Sequence, residues 1–294
     1  MASSIFTVSP SPPANLNSKP LVIVEKLNEI TTIGINRPEK KNCVNHATAK
    51  ELMAAFAEFE ADKNAKVAVL YGVGGTFCAG YDLKETANSA LNNAGAETLA
   101  MSDNFNPLNT NGAGPLGPTR RFFAKPVIAA VSGYAVAGGF ELSLACDLRV
   151  VEDSAVFGVF CRRFGVPLID GGTVRLPALI GLSRALDIIL TGRPVKAQEA
   201  LQLGVANRIV KKGKGLSEAI KLAKEIAKFP QECMLRDRAS AWHSTYSSSN
   251  FQEAVEYEMT HSLDVIAQES IPGASLFVKG VGRHGSFDIG KSKL

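Results

Sequence analysis

The chain has 294 residues, 46% of them hydrophobic and 20% charged, with a formal net charge of +4. That length and balance suit one large domain, or a domain with a helical tail, whose core needs neither disulfides nor a metal. The mild, scattered positive charge argues against a nucleic-acid partner, while leaving room for a local cationic mouth around a phosphorylated ligand.

Cys43, Cys78, Cys146, Cys161 and Cys233 are scattered, odd in number and form no C-x-x-C pair. They read as reduced thiols rather than a disulfide framework. His46, His243, His261 and His284 lack the spacing of a metal site, so none is expected. Residues 127–140, an uncharged and mainly apolar stretch, are too short to cross a bilayer.

Residues 1–18 are rich in Ser and Pro, without an arginine-rich amphipathic pattern, and are expected to be a disordered lead-in. Residues 21–27 and 30–36 read as two strands around a turn at Asn28-Glu29. Residues 47–61 read as a helix, with Leu52, Ala55, Phe56 and Phe59 at helical spacing. A short buried strand is expected at 67–71, followed by the turn GVGG. Residues 91–121 are polar, with Asn, Gly and Pro, and suit a loop with a short helix. Another buried strand is expected at 127–131, a helical turn at 140–146 and a strand at 148–151.

From Arg175 onward the pattern is mostly helical. Ser183 suits the N-cap of a helix at 184–190, with Gly192 as its stop. Residues 196–203 read as a helix ending at Gly204, and 205–210 as the last strand. Helices are expected at 216–228, 231–240 and 251–267. The break near 213–215 marks a candidate boundary between a core, residues 19–212, and a helical region, residues 213–283. Residues 284–294 read as an exposed tail.

Three segments can carry chemistry. In GTFCAGYDLK, residues 75–84, Gly80 permits a sharp turn that exposes the Tyr81 N–H. Taken alone, this is a strand-to-helix turn and nothing more. In GYAVAGGFELSLACDL, residues 133–148, a strand runs into glycines at a helix start, where unpaired N–H groups favour negative charge. A Gly138 N–H there can stabilise an oxyanion. Glu141, three residues on, lies over the same face and can move protons. It equally suits the helix dipole, and the two readings are about even. In FGVFCRRFGVPLIDGGTVRLP, residues 157–177, a lone Asp170 ahead of two glycines is first of all an N-cap. Arg162 and Arg163 read as surface charges before they read as phosphate contacts.

Two other patterns carry little. GVGGTF, residues 72–77, lacks the third glycine of a dinucleotide fingerprint. GSFDIGKS, residues 285–292, matches a phosphate loop in letters, but only two residues follow where a helix is needed. The closing Ser292-Lys293-Leu294 reads as a peroxisomal address and implies an import receptor as a partner.

Together, INRPEKKN (35–42), GTFCAGYDLK, KPVIAAVSGYAVAGGFELSLACDLRV, DGGTVRLPALIG and LTGRPVKAQEALQLGVANRIV (190–210) resemble the crotonase superfamily of enoyl-CoA hydratases and isomerases. The matches cover most of the chain in the expected order. The resemblance implies an α/β fold, a spiral of ββα units followed by C-terminal helices that assemble homotrimers or hexamers. It implies an oxyanion hole from the backbone N–H groups of Tyr81 and Gly138, and Glu141 as a catalytic carboxylate. Ala79 would meet coenzyme A, with Lys40 and Lys84 as further neighbours. Coenzyme A is part of the substrate, so no separate cofactor is implied.

One position departs from the pattern. The second glutamate of the hydratases falls on Cys161, and a thiol is a poor substitute in water addition. Asp170 is the candidate replacement. Hydration of an enoyl-CoA is the default reaction. Double-bond isomerisation, or acyl-CoA binding with weak catalysis, are the alternatives.

Overall fold

The computed structural model describes residues 19–85, 87, 112–285 and 287. The expected lead-in, most of the loop at 91–121 and the terminal tripeptide lie outside the described residues.

The chain opens with a hairpin. β1 (Val22–Leu27) runs antiparallel to β2 (Ile30–Ile35). Asn28 takes the left-handed conformation that the tight turn demands, with φ 57°. α1 (His46–Ala61) follows, its first turn capped by the Asn45 side chain, which accepts from the Thr48 N–H at 3.0 Å. β3 (Val67–Gly72) and β4 (Val127–Val131) then extend the sheet in parallel.

From β4 the chain spirals between two sheets. β5 (Tyr134–Val136) leaves the first sheet for a second one, and α2 (Gly138–Ala145) returns the chain. β6 (Leu148–Glu152) pairs beside β4, and β7 (Val156–Gly158) pairs beside β5. α3 (Gly172–Ile180) and α4 (Leu182–Thr191) follow. β8 (Val195–Lys196), α5 (Ala197–Leu203) and β9 (Arg208–Val210) complete both sheets. The first sheet has the order β1-β2-β3-β4-β6-β9 and the second β5-β7-β8. The helices α6 (Gly215–Ala227), α7 (Gln231–Tyr246), α8 (Phe251–Thr260) and α9 (Ile271–Val278) close the described chain.

Strand alternation explains the layers. Ala68 and Leu70 of β3, with Val127, Ala129 and Val131 of β4, face Leu52, Phe56 and Phe59 of α1 and the buried α2. Their neighbours Val67, Val69, Ile128 and Ala130 face Ala219, Leu222 and Ala223 of α6 on the opposite side. Parallel strands covered on both faces read as continuous apolar runs, as these do. The expected division after residue 212 falls just before α6, yet α6 packs on the sheet as part of the core.

Several expected boundaries move. α4 starts directly after Gly181, so Ser183 lies inside it and caps nothing. The last strand is confined to Arg208–Val210. α7 runs on to Tyr246, because Trp242 and Tyr246 stack on each other and on Phe122. The helix expected over 251–267 is interrupted after Thr260 and resumes at Leu263–Val265, and α9 was not expected. β5 and β7 were also missed, each being only three residues long.

Candidate active site

Two turns meet at the centre of the site. In the first, the Cys78 N–H donates to the Tyr134 carbonyl at 2.9 Å, and the Val136 N–H donates to the Cys78 carbonyl at 3.1 Å. These bonds attach the turn to β5. On its other side the Val44 N–H donates to the Gly80 carbonyl, and the Asp82 N–H to the Val44 carbonyl, both at 2.9 Å. Such a parallel bridge uses the groups of Gly80 and Asp82 and turns the Tyr81 N–H away from Val44. Gly80 makes the turn with φ 97°.

The second turn leads into α2. Ala137 takes φ 54°, a conformation that costs a non-glycine residue about 1–3 kcal/mol. Its N–H is tied to the Gly158 carbonyl at 2.8 Å. Gly138 follows as the first residue of α2, where an N–H has no intrahelical acceptor. A Cβ on Gly80 would lie 3.1 Å from the Gly138 nitrogen, and one on Gly139 would overlap the Cys78 carbonyl. Bare backbone on both sides therefore brings the Tyr81 and Gly138 amides together.

A cavity of about 670 Å³ opens in front of these amides. Its wall is mainly apolar, with Leu116, Tyr134, Val136, Phe160 and Val166, and it includes Tyr81, Gly138, Glu141, Cys161 and Asp170. Glu141 is 3% and Asp170 2% exposed, so both carboxyl groups are withdrawn from bulk water. Glu141 Oε1 accepts from the Asp170 N–H at 2.9 Å and the Gly172 N–H at 2.8 Å. Burial, and next the charge of Asp170, push the Glu141 carboxyl up to about 8. Asp170 is raised as well, chiefly by burial, which the Thr119 hydroxyl, the Leu116 N–H, Arg120 and Arg175 offset only in part. Two close carboxyl groups cannot both ionise cheaply. One proton shared by the pair is therefore the favoured state.

Asp170 is no N-cap. α3 begins at Gly172 with Gly171 in the capping position, and no side chain caps it. The Asp170 carboxylate points the other way. Its Oδ1 accepts from the Leu116 N–H at 3.2 Å and from the Thr119 hydroxyl. Cys161 is buried on the cavity wall beside Glu141, and burial, then Glu141, raise its thiol. At neutral pH it is an S–H group, a weak donor and no base.

The expected coenzyme A neighbours divide. Ala79 lines the cavity, its N–H donating to the Lys41 carbonyl at 3.0 Å. Lys40 and Lys84 are exposed and are not part of the cavity wall. Lys41 is, with its ammonium 5.3 Å from the Tyr134 ring centre. Its only signal in the sequence was its place beside Lys40. Arg163, expected at the surface, lines the cavity too, its guanidinium over the Phe160 and Phe164 rings. Thr119 and Leu116 gave no signal, because the Pro- and Gly-rich segment around them has no periodicity. Among the described residues no cluster of metal-ligating side chains occurs, and no helix is long and apolar enough to cross a membrane.

Residues 25–281 match the family model described as enoyl-CoA hydratase/isomerase. The chain is 34% identical over 206 residues to the mevalonyl-coenzyme A hydratase sidH of Aspergillus fumigatus, covering 68% of this chain and 69% of that protein. It is 30% identical over 249 residues to an Arabidopsis thaliana protein named "Probable enoyl-CoA hydratase 1, peroxisomal", covering 78% and 88%. The crystal structure of an enoyl-CoA hydratase from Mycobacterium tuberculosis superposes with a TM-score of 0.78 at 34% identity, covering 89% of this chain and 96% of that one. The chain thus belongs to the enoyl-CoA hydratase/isomerase family, has the crotonase fold and is an enzyme of the enoyl-CoA hydratase type.

Proposed function

We propose that the enzyme adds water across the C2–C3 double bond of a 2-enoyl-CoA, with Asp170 as the base and Glu141 as the acid. The observation that carries this reading is the pair of buried carboxyl groups on one cavity wall, too close for both to ionise cheaply. The thioester oxygen would lie between the Tyr81 and Gly138 N–H groups, where donors and the start of α2 stabilise negative charge.

Asp170 takes a proton from water, and the hydroxide oxygen bonds to C3. The C2–C3 π pair moves to form the enolate, whose oxygen carries the charge in the hole. Glu141 then gives its proton to C2 as the enolate collapses to the thioester. The proton now on Asp170 passes to the adjacent Glu141 carboxylate, and the pair is reset. One water is consumed and no other co-reactant is needed. Lys41, through its ammonium, and the backbone at Ala79 on the cavity wall are suited to the coenzyme A portion.

Two further parts of the reading concern the cell. The terminal Ser292-Lys293-Leu294 and the peroxisomal Arabidopsis relative favour import into peroxisomes, where β-oxidation would be the setting. A tagged chain lacking those three residues should stay in the cytosol. The exposed apolar side chains Phe251, Met259, Ile271 and Val278 favour a homotrimer or a pair of trimers, and light scattering that shows only monomer would exclude it.

The reaction is tested by offering matched 2-enoyl- and 3-enoyl-CoA thioesters and following mass. Hydration adds one water to the 2-enoyl compound. Conversion of the 3-enoyl compound without gain of mass would replace hydration by isomerisation. Turnover of neither, with tight binding of both, would leave a binding protein.

A further inference from the structure

We propose that Thr119 is a positioning residue of the reaction: its hydroxyl fixes both the charge and the orientation of Asp170. The proposal rests on the reading of Asp170 as the base. Thr119 is wholly buried, and its Oγ1 donates to Asp170 Oδ1. The Leu116 N–H converges on the same oxygen at 3.2 Å. Two donors on one carboxylate oxygen favour the ionised form; Glu141 Oε1 also has two, but both are backbone amides, whereas at Asp170 one is a side chain. They also hold the carboxylate by one edge, so that its orientation does not depend on the substrate.

The donors are themselves held in place. The Gly114 N–H donates to the Gly117 carbonyl at 2.7 Å, and the Gly117 N–H returns to the Gly114 carbonyl at 2.9 Å. The Thr119 N–H donates to the Gly117 carbonyl at 2.9 Å and the Arg120 N–H to the Gly112 carbonyl at 3.1 Å. This cross-linked turn lies close against Asp170: a Cβ on Gly114 would overlap both Asp170 Oδ1 and Thr119 Oγ1. Leu116 extends from the same turn onto Gly138, whose missing side chain leaves it room. One rigid turn thus touches the base and the oxyanion hole together.

The other charged or titratable groups around Asp170 act differently. Arg175 Nη1 donates to the Asp170 backbone carbonyl at 3.1 Å, and Arg120 Nε to the Ile169 carbonyl at 3.0 Å. Glu141 from α2 holds the proton of the pair in this reading, so it adds no like charge while Asp170 is ionised. Tyr81 and Cys78 feel the Asp170 charge from the first turn. The Thr119 hydroxyl is a side-chain donor that touches the carboxylate directly.

The test compares Thr119→Val, which keeps the shape and removes the donor, with Thr119→Ser, which keeps the donor. A hydrogen bond to a charged group is strong enough to move an ionisation by about a unit or more. In T119V, kcat/KM for a 2-enoyl-CoA should therefore fall on the acid side of the profile, by about tenfold or more. The deficit should shrink as the pH rises, because a higher pH ionises Asp170 without the donor's help. T119S should follow the wild-type profile, and calorimetry should show a non-reactive acyl-CoA binding both variants as it binds wild type.

A loss in T119V that is the same at every pH, or no loss, overturns the proposal. Thr119→Ala carries the same comparison if the valine variant does not fold. Asp170→Asn measured alongside separates the two levels. An active Asp170→Asn removes the reading of Asp170 as base and the role of Thr119 with it. An inactive Asp170→Asn with an unshifted T119V profile removes only the role of Thr119.

Discussion

Asp147 and the pair Glu141 and Asp170 sit at opposite ends of α2, and their surroundings differ in one respect. Asp147 Oδ1 accepts from Arg238 Nε at 2.8 Å and Trp242 Nε1 at 3.2 Å. Its Oδ2 accepts from the Val127 N–H at 2.8 Å and Arg238 Nη2 at 3.2 Å. Every lone-pair direction has a donor, one donor carries a full charge, and the result fastens α7 to β4. Glu141 and Asp170 are more deeply buried, yet among the described residues they form no ion pair. Their donors are backbone amides and one hydroxyl, and each faces a second carboxyl group. A carboxylate neutralised by a cation holds structure together. A pair that must share one proton would, in the proposed reaction, keep acid and base side by side, at a cost in stability that the rest of the core offsets.

Glu141→Gln should break the second arrangement hardest. It keeps the shape and the two backbone bonds to Oε1 but removes the transferable proton, so turnover should fall by about 10²–10⁴-fold. The same change should raise stability. In the wild type the folded carboxyl is raised to about 8 from its ordinary 4.5, so folding is favoured by protonation. That contribution is complete below 4.5 and is lost as pH rises through the folded value. The melting temperature of E141Q should therefore gain on the wild type progressively between those two limits. Equal pH dependence in the two proteins would mean that the buried carboxyl is ionised after all.

Asp147→Ala should show the converse. It leaves Arg238 half-buried without its partner, and the unfolding free energy should drop by about 2–4 kcal/mol. Turnover per folded molecule should be unchanged. A selective loss of turnover at unchanged stability would erase the distinction between the two regions. Cys161→Ala should have the smallest effect, within about twofold in turnover, because a protonated thiol transfers nothing in this scheme. A large loss there would make Cys161, not Asp170, the second active group.

Much of this arrangement was legible in the chain. Strict apolar runs such as Val127–Val131 and the spacing of Leu52, Phe56 and Phe59 fixed long elements, because burial acts on every residue in them. Glu141 and Gly138 were legible because a glycine pair at a helix start and a nearby acid form a local pattern. The three-residue strands β5 and β7 were not, since they are held by pairing across the spiral rather than by their own composition. Asp170 was legible as an acid near glycines, but its lone-residue reading as a cap was wrong. Its partners Thr119 and Leu116 lie about fifty residues earlier, and only the fold brings them together. Lys41 rather than Lys40 lines the cavity because the backbone at Lys41 turns left-handed, with φ 50°, a detail that two adjacent lysines cannot reveal.

The central claim is that Asp170 is the base of a proton-sharing pair, and Asp170→Asn tests it most directly. Asn is of the same size and can still accept from Leu116 and Thr119, so the turn and the cavity should persist. The account predicts a fall in kcat for a 2-enoyl-CoA of about 10²–10⁴-fold, with the affinity for a non-reactive acyl-CoA unchanged. Turnover within a few-fold of the wild type would contradict it.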